Sequence, residues 1–170
     1  MMKQVVLAPA KLNLTLDVLG KRPDGYHDLR MVMQSVELAD RIELETGTGR
    51  GLEVRTDLSF LPNNEKNLAA AAALKLQERS GKRADGLSIA IEKRVPVCAG
   101  MGGGSSDAAA VLRALNEGLG VGLSRMEPLL QCQTFLQKGR DGLFEQQVIP
   151  FFQGGKCQPH MVAVDRKSVV

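Results

Sequence analysis

Pro96-Val97-Cys98-Ala99-Gly100-Met101-Gly102-Gly103-Gly104-Ser105-Ser106-Asp107-Ala108-Ala109-Ala110 is the stretch on which the fold turns. It follows an alternating run, Leu87 to Ile91, that reads as a strand. It leads into Ala108, Val111, Leu112 and Leu115, apolar at i, i+3, i+4 and i+7, which predicts a helix beginning at Ser105 or Ser106. A glycine loop between a strand and a helix N-terminus is an anion site: bare N–H groups and the positive end of the helix dipole favour phosphate. Ser105 and Ser106 are expected to serve both as N-cap acceptors and as hydroxyl donors to that phosphate. The competing reading is a flexible Gly/Ser linker, but linkers are rarely framed by a strand and a capped helix. Gly103 is expected to lie where phosphate approaches the backbone, so that Gly103→Val would block it. No G-x-x-x-x-G-K-[ST] occurs, and G-x-G-x-x-G fails at Ser105, so the common P-loop and dinucleotide fingerprints are absent.

Outward from this loop the pattern is α+β. Lys11 to Leu19, KLNLTLDVL, alternates Leu12, Leu14, Leu16 and Val18 with Lys11, Asn13, Thr15 and Asp17, a half-buried strand with a polar face. A turn is expected at Pro23-Asp24-Gly25. Further strands are read at 31–38, 41–45, 52–55 and 87–91, giving four or five in an antiparallel or mixed sheet. A first helix is predicted over 67–79, with Asn67 as N-cap and Gly81 as stop, and a third from Ser124, where Ser124 and Glu127 fit a capping box.

Composition narrows the class. At 170 residues the chain has room for one ordinary domain, with 44% apolar and 24% charged residues as in globular proteins. No apolar run approaches the roughly 20 residues of a membrane span, and the N-terminus has neither a signal-peptide nor a transit-peptide pattern, so a cytoplasmic protein is expected. Cys98, Cys132 and Cys157 have no C-x-x-C spacing, which argues against a disulfide framework or a zinc site. The net charge of +3, the absence of Trp and the lone Tyr26 give no sign of a nucleic-acid surface. There are 18 glycines, seven of them between Gly100 and Gly122.

The motif P-x-x-x-G-x-G-G-G-S-S-D-A-A resembles the ATP-binding loop of the GHMP kinases, with Met101 where that family usually has Leu. Ala8-Pro9-Ala10-Lys11-Leu12-Asn13-Leu14 and Lys21-Arg22-Pro23-Asp24-Gly25-Tyr26-His27 resemble one branch of it, over roughly residues 5–130. The resemblance implies a two-layer α+β domain, a mostly antiparallel sheet with helices on one face. It implies ATP and Mg²⁺, with Pro96, Val97, Cys98, Ala99, Gly100, Met101, Gly102, Gly103, Gly104, Ser105 and Ser106 around the nucleotide. It further implies phosphorylation of the 2-hydroxyl of diphosphocytidyl methylerythritol, a small-molecule step of non-mevalonate isoprenoid biosynthesis. Lys11 would then stabilise charge near the transferring phosphoryl group, and Asn13, Tyr26 and His27 would bind substrate, the last two at its cytidine. The alternatives are a GHMP kinase acting on homoserine or mevalonate, and a non-catalytic nucleotide-binding fragment.

The C-terminal stretch departs from that pattern. Fifteen of sixteen alanines precede residue 131, whereas seven of ten glutamines and four of five phenylalanines lie at or after it. Residues 1–130 are read as the ATP-binding domain and 131–170 as a divergent tail, with the family's C-terminal domain absent. The family's L-G-A-D-V-P-F-F element, whose Asp acts as general base, would place that Asp at Lys138. The nearest acid is Asp141, the candidate base, and an echo of the motif at 147–155 has Gln147 in place of Asp. Poor phosphoryl transfer by the chain as written is the resulting expectation.

Overall fold

A computed structural model describes residues 1–21, 23 and 27–123, and the backbone of 160–164. The elements are β1 (Met2–Lys21), β2 (His27–Thr46), β3 (Leu52–Thr56), α1 (Leu68–Ser80), β4 (Leu87–Glu92), α2 (Gly103–Gly118) and β5 (His160–Val164). The sheet runs β1-β2-β4-β3, and β5 pairs with β2 at Met31 to His27, beyond the segment that β4 occupies. All neighbours are antiparallel except β3 and β4, whose parallel pairing is bridged by α1 as in a βαβ unit. The α+β class and the mixed sheet expected from the pattern are what the chain forms.

The core lies between one sheet face and the two helices. Ala8, Ile42, Leu44, Ile89 and Ile91 meet Ala69, Ala73 and Leu76 of α1 and Ala109, Val111, Leu112 and Leu115 of α2. Alanines on both helices let them approach closely. α1 starts and stops as its sequence predicts: Asn67 Oδ1 accepts from the Ala69 N–H at 3.0 Å, and Gly81 ends the helix at φ 69°.

Three expectations are corrected. The runs 31–38 and 41–45 belong to one continuous strand, because Asp40, which breaks the apolar alternation, is an internal anchor rather than a turn residue. The strand Lys11–Leu19 is not half-buried: Leu14 is 60% exposed and Val18 51%, because the helices pack over the first half of β1 and leave this arm beyond them. α2 begins at Gly103 with Gly102 as its cap, so neither Ser105 nor Ser106 is the N-cap. Gly102 at φ 75° turns the chain directly into the helix, and its carbonyl accepts from the Ser106 N–H at 2.9 Å. The expected turn residues Asp24 and Gly25, and the helix from Ser124, lie outside the described residues.

The 47–51 loop is closed onto the start of β4 by Gly47 N–H to Gly86 C=O at 3.2 Å and Leu87 N–H to Gly51 C=O at 3.0 Å. Gly86 sits at φ 80°, and a Cβ there would lie 2.8 Å from the backbone nitrogens of Gly49 and Arg50. Gly86→Ala is therefore expected to lower stability by about 2–3 kcal/mol, since the left-handed conformation alone costs an L-residue roughly 1–2 kcal/mol. Urea denaturation measures this.

Candidate functional site

The glycine loop forms one wall of a cleft of about 730 Å³, and the segment between β3 and α1 forms the other. Every residue from Pro96 to Ser105 lines it, opposite Thr56, Leu61, Pro62, Lys66 and Asn67. Ser106 does not line the cleft; its hydroxyl is spent on the Pro9 carbonyl, 2.8 Å away. Ser105 Oγ is buried and has no hydrogen-bond partner. A buried hydroxyl left unpaired costs free energy, so an orphan at the first turn of a helix marks a place for a ligand acceptor or donor. Cys98 holds φ 60°, the one non-glycine among the described residues in the left-handed region, which is strain of the kind concentrated at binding loops.

The expectation for Gly103 needs a different reason. A Cβ there would meet Val95 Cγ1 at 3.2 Å and Lys93 Nζ at 3.3 Å, and one at Gly104 would meet Leu68 Cδ1 at 3.1 Å. These two glycines let α2 sit tightly against the β4 exit and α1. The change Gly103→Val would disturb packing beneath the loop before it obstructed a phosphate above it.

β1 reaches the loop through a bulge between Pro9 and Lys11. There the Lys11 N–H donates to the Met101 carbonyl at 3.0 Å. The Lys11 side chain, 4% exposed as a residue, donates to Asn13 Oδ1 at 3.1 Å, which confirms that the two share a face. No carboxylate among the described residues lies within ion-pair distance of it, and burial holds its pKa below the ordinary lysine value. His27 pairs with Lys21, ten positions along β1 from Lys11, and its Nδ1 is buried without a partner. Lys11 and His27 are thus brought to one hairpin but not to one point. Tyr26, Lys138 and Asp141 lie outside the described residues.

Beneath the loop is a charged cluster to which the sequence pattern assigned no role. Lys93 Nζ donates to Asp107 Oδ2 at 2.7 Å and to Asp40 Oδ2, all three side chains being nearly inaccessible. Asp40 Oδ1 also accepts from the N–H groups of Arg94, at 2.6 Å, and Val95, at 2.8 Å. Burial pushes the Asp107 pKa up to about 7, against the opposing pull of Lys93. Burial alone would lower Lys93, but the two carboxylates, Asp107 foremost, hold it above its usual value. The only local signal was an acid inside an alternating strand; Asp40 and Lys93 are 53 residues apart in the chain.

Residues 67–144 match the family described as GHMP kinases N terminal domain. The chain is 50% identical over 146 residues to 4-diphosphocytidyl-2-C-methyl-D-erythritol kinase of Syntrophotalea carbinolica, covering 86% of this chain and 48% of that protein. It is 51% identical over 126 residues to the enzyme of the same name from Bacillus cytotoxicus, covering 74% and 43% respectively. The chain therefore spans about half the length of these relatives. Among solved structures it resembles 4-(cytidine 5'-diphospho)-2C-methyl-D-erythritol kinase with a TM-score of 0.65 at 33% identity, covering 92% of this chain and 55% of that one. Homoserine kinase from Cytophaga hutchinsonii, at 22% identity and a TM-score of 0.59, shares the fold.

Two stability measurements check the site's electrostatics. Asp40→Ala leaves the Lys93 ammonium, the buried Val95 N–H and the partly buried Arg94 N–H each short of a partner and is expected to cost about 3–5 kcal/mol in urea denaturation. Lys11→Met is expected to stabilise at pH 7. The lowered Lys11 pKa means the folded state penalises the charged amine, a cost present in full below that pKa and relieved as pH rises through it. The gain from Lys11→Met should accordingly shrink between pH 7 and pH 10.

Proposed function

Because the chain carries a GHMP kinase N-terminal domain, we propose that its cleft binds Mg·ATP and that it serves phosphorylation of the 2-hydroxyl of 4-diphosphocytidyl-2-C-methyl-D-erythritol. The observation that carries this is the buried, partnerless Ser105 hydroxyl at the first turn of α2, behind a glycine loop that walls a nucleotide-sized cleft. The loop and helix N-terminus suit the phosphates, and the apolar wall at Leu61 and Pro62 suits a base. Mg²⁺ enters as part of the nucleotide substrate, shielding phosphate charge.

In the proposed reaction the 2-hydroxyl oxygen bonds to the γ-phosphorus as the bridging bond to the β-phosphate breaks, and ADP leaves with that electron pair. The hydroxyl proton passes to a base, for which Asp141 is the candidate in the sequence. Lys11 meets the transferring group with a desolvated ammonium; a polyanion beside it supplies the countercharge that the described residues lack. In this reading His27, paired with Lys21 ten positions along β1 from Lys11, serves the cytidine end of the substrate. The two relatives with half of their aligned residues identical carry the name of this kinase, which favours this substrate over homoserine or mevalonate. This reading implies a soluble, cytoplasmic enzyme. Among the described residues no helix is long and apolar enough to cross a membrane.

Calorimetry with ADP tests the nucleotide site. Binding is expected, and Ser105→Ala is expected to weaken it about tenfold or more, as befits a hydrogen bond to a charged group. Failure of ADP to bind would refute the assignment. A coupled ADP-release assay with the diphosphocytidyl substrate and Mg·ATP then tests transfer: slow turnover on that substrate is expected of the chain as written, and preferential turnover on homoserine or mevalonate is the contrary result.

A further inference from the structure

Two carboxylates and one ammonium are buried under the loop that the preceding reading gives to the nucleotide phosphates, and this inference rests on that reading. Asp107 stands five residues into α2, with Oδ2 on Lys93 at 2.7 Å and Oδ1 buried without a partner. Asp40 faces it across the same ammonium. Lys93 Nζ lies 3.3 Å from where a Cβ on Gly103 would be, so the cluster is packed against the first residue of the helix. Asp107 and Lys93 both line the cleft itself.

Fully ionised, this cluster carries one net negative charge under an anion site. Arriving phosphates repel that charge at short range in a desolvated setting, where Coulomb terms are weakly screened. Asp40 cannot relieve it, since its carboxylate holds two backbone N–H groups and Lys93. Asp107 can, because its second oxygen has no partner to lose. We infer that Asp107 is a proton-linked positioning residue of the nucleotide site, its carboxyl taking up one proton from solvent when the phosphates dock and returning it when they leave. Protonation makes the cluster neutral while Lys93 stays tied to Asp40, so the loop keeps its anchor with the nucleotide bound.

The position of the free carboxyl near neutrality makes the linkage visible in the working range. The sign follows: above about pH 7 the empty site holds an ionised Asp107, docking protonates it, and affinity falls as pH rises. Other titratable groups near the cleft are Lys66 ahead of α1 and Cys98 in the loop, with Lys11 on β1 behind Met101. Comparison with Asp107→Asn separates their effects from that of Asp107.

The test is calorimetry of metal-free ADP binding between pH 7.5 and 8.5, where the nucleotide's own terminal phosphate, with a pKa of about 6, is ionised. It is run in two buffers of unlike ionisation enthalpy, neither of them phosphate. The natural chain is expected to take up a substantial fraction of a proton per ADP, and to lose affinity by about three- to tenfold across that range. Asp107→Asn is expected to bind with no uptake and a less than twofold change. Absence of uptake in the natural chain overturns the inference whether or not the variant folds, and uptake that persists in Asp107→Asn overturns it too. Binding without uptake leaves the nucleotide site standing and refutes only the role of Asp107; no ADP binding at any pH refutes both.

Discussion

The structure depends on the tie between Asp40, Lys93 and Asp107. It joins the middle of β2, the exit of β4 and the body of α2 beneath the glycine loop, at the edge of the apolar core that they share. Burying three charges carries a large desolvation penalty, and hydrophobic residues of like volume hold elements together at lower cost. What the charged tie adds is direction. A carboxylate with two backbone N–H groups and an ammonium on it fixes where residues 94 and 95 leave the sheet, and so where the loop begins. Apolar contacts at Val95 and Leu68 then set how close α2 comes.

The second constraint is the length of the β1–β2 hairpin. Paired from Met2 with Thr46 to Lys21 with His27, it extends beyond the cover of the helices. Regular pairing would leave every β1 N–H on β2 or on solvent. The bulge between Pro9 and Lys11 releases one N–H to the Met101 carbonyl, and the Pro9 carbonyl takes the Ser106 hydroxyl. Bulges re-aim side chains in this way at functional sites. Here the result is a lysine withdrawn from water within reach of the loop, a group whose charge has cost stability in the empty protein.

How much of this was legible depended on the range of the interaction. Helix α1 could be read nearly to the residue, because Asn67 and Gly81 act locally through their own backbone geometry. The loop's place between strand and helix was legible for the same reason. The start of α2 was misread, since Ser105 and Ser106 have the chemistry of caps but Gly102 takes that position and frees both hydroxyls for other work. The arm of β1 was misread because alternation reports which residues share a face, not whether anything covers that face. The Asp40–Lys93–Asp107 tie was invisible, for no periodicity links residues so far apart in the chain.

The loop's glycines also divide into two kinds once their surroundings are known, and the division bears on how the site works. Gly100 and Gly102 hold φ near 70°, so they shape a turn that an L-residue would strain. Gly103 and Gly104 have no such angle; their missing Cβ atoms make room for Val95, Lys93 and Leu68 underneath. The turn-forming pair presents backbone to the cleft, whereas the packing pair seats the helix on its charged base. On the proposed reading, a phosphate at this N-terminus meets a helix dipole seated on ionisable groups as well as on the apolar core. If phosphates dock there as proposed, the charge they bring and the charge of the groups beneath are electrostatically coupled, and the charge state of one is a condition on the other.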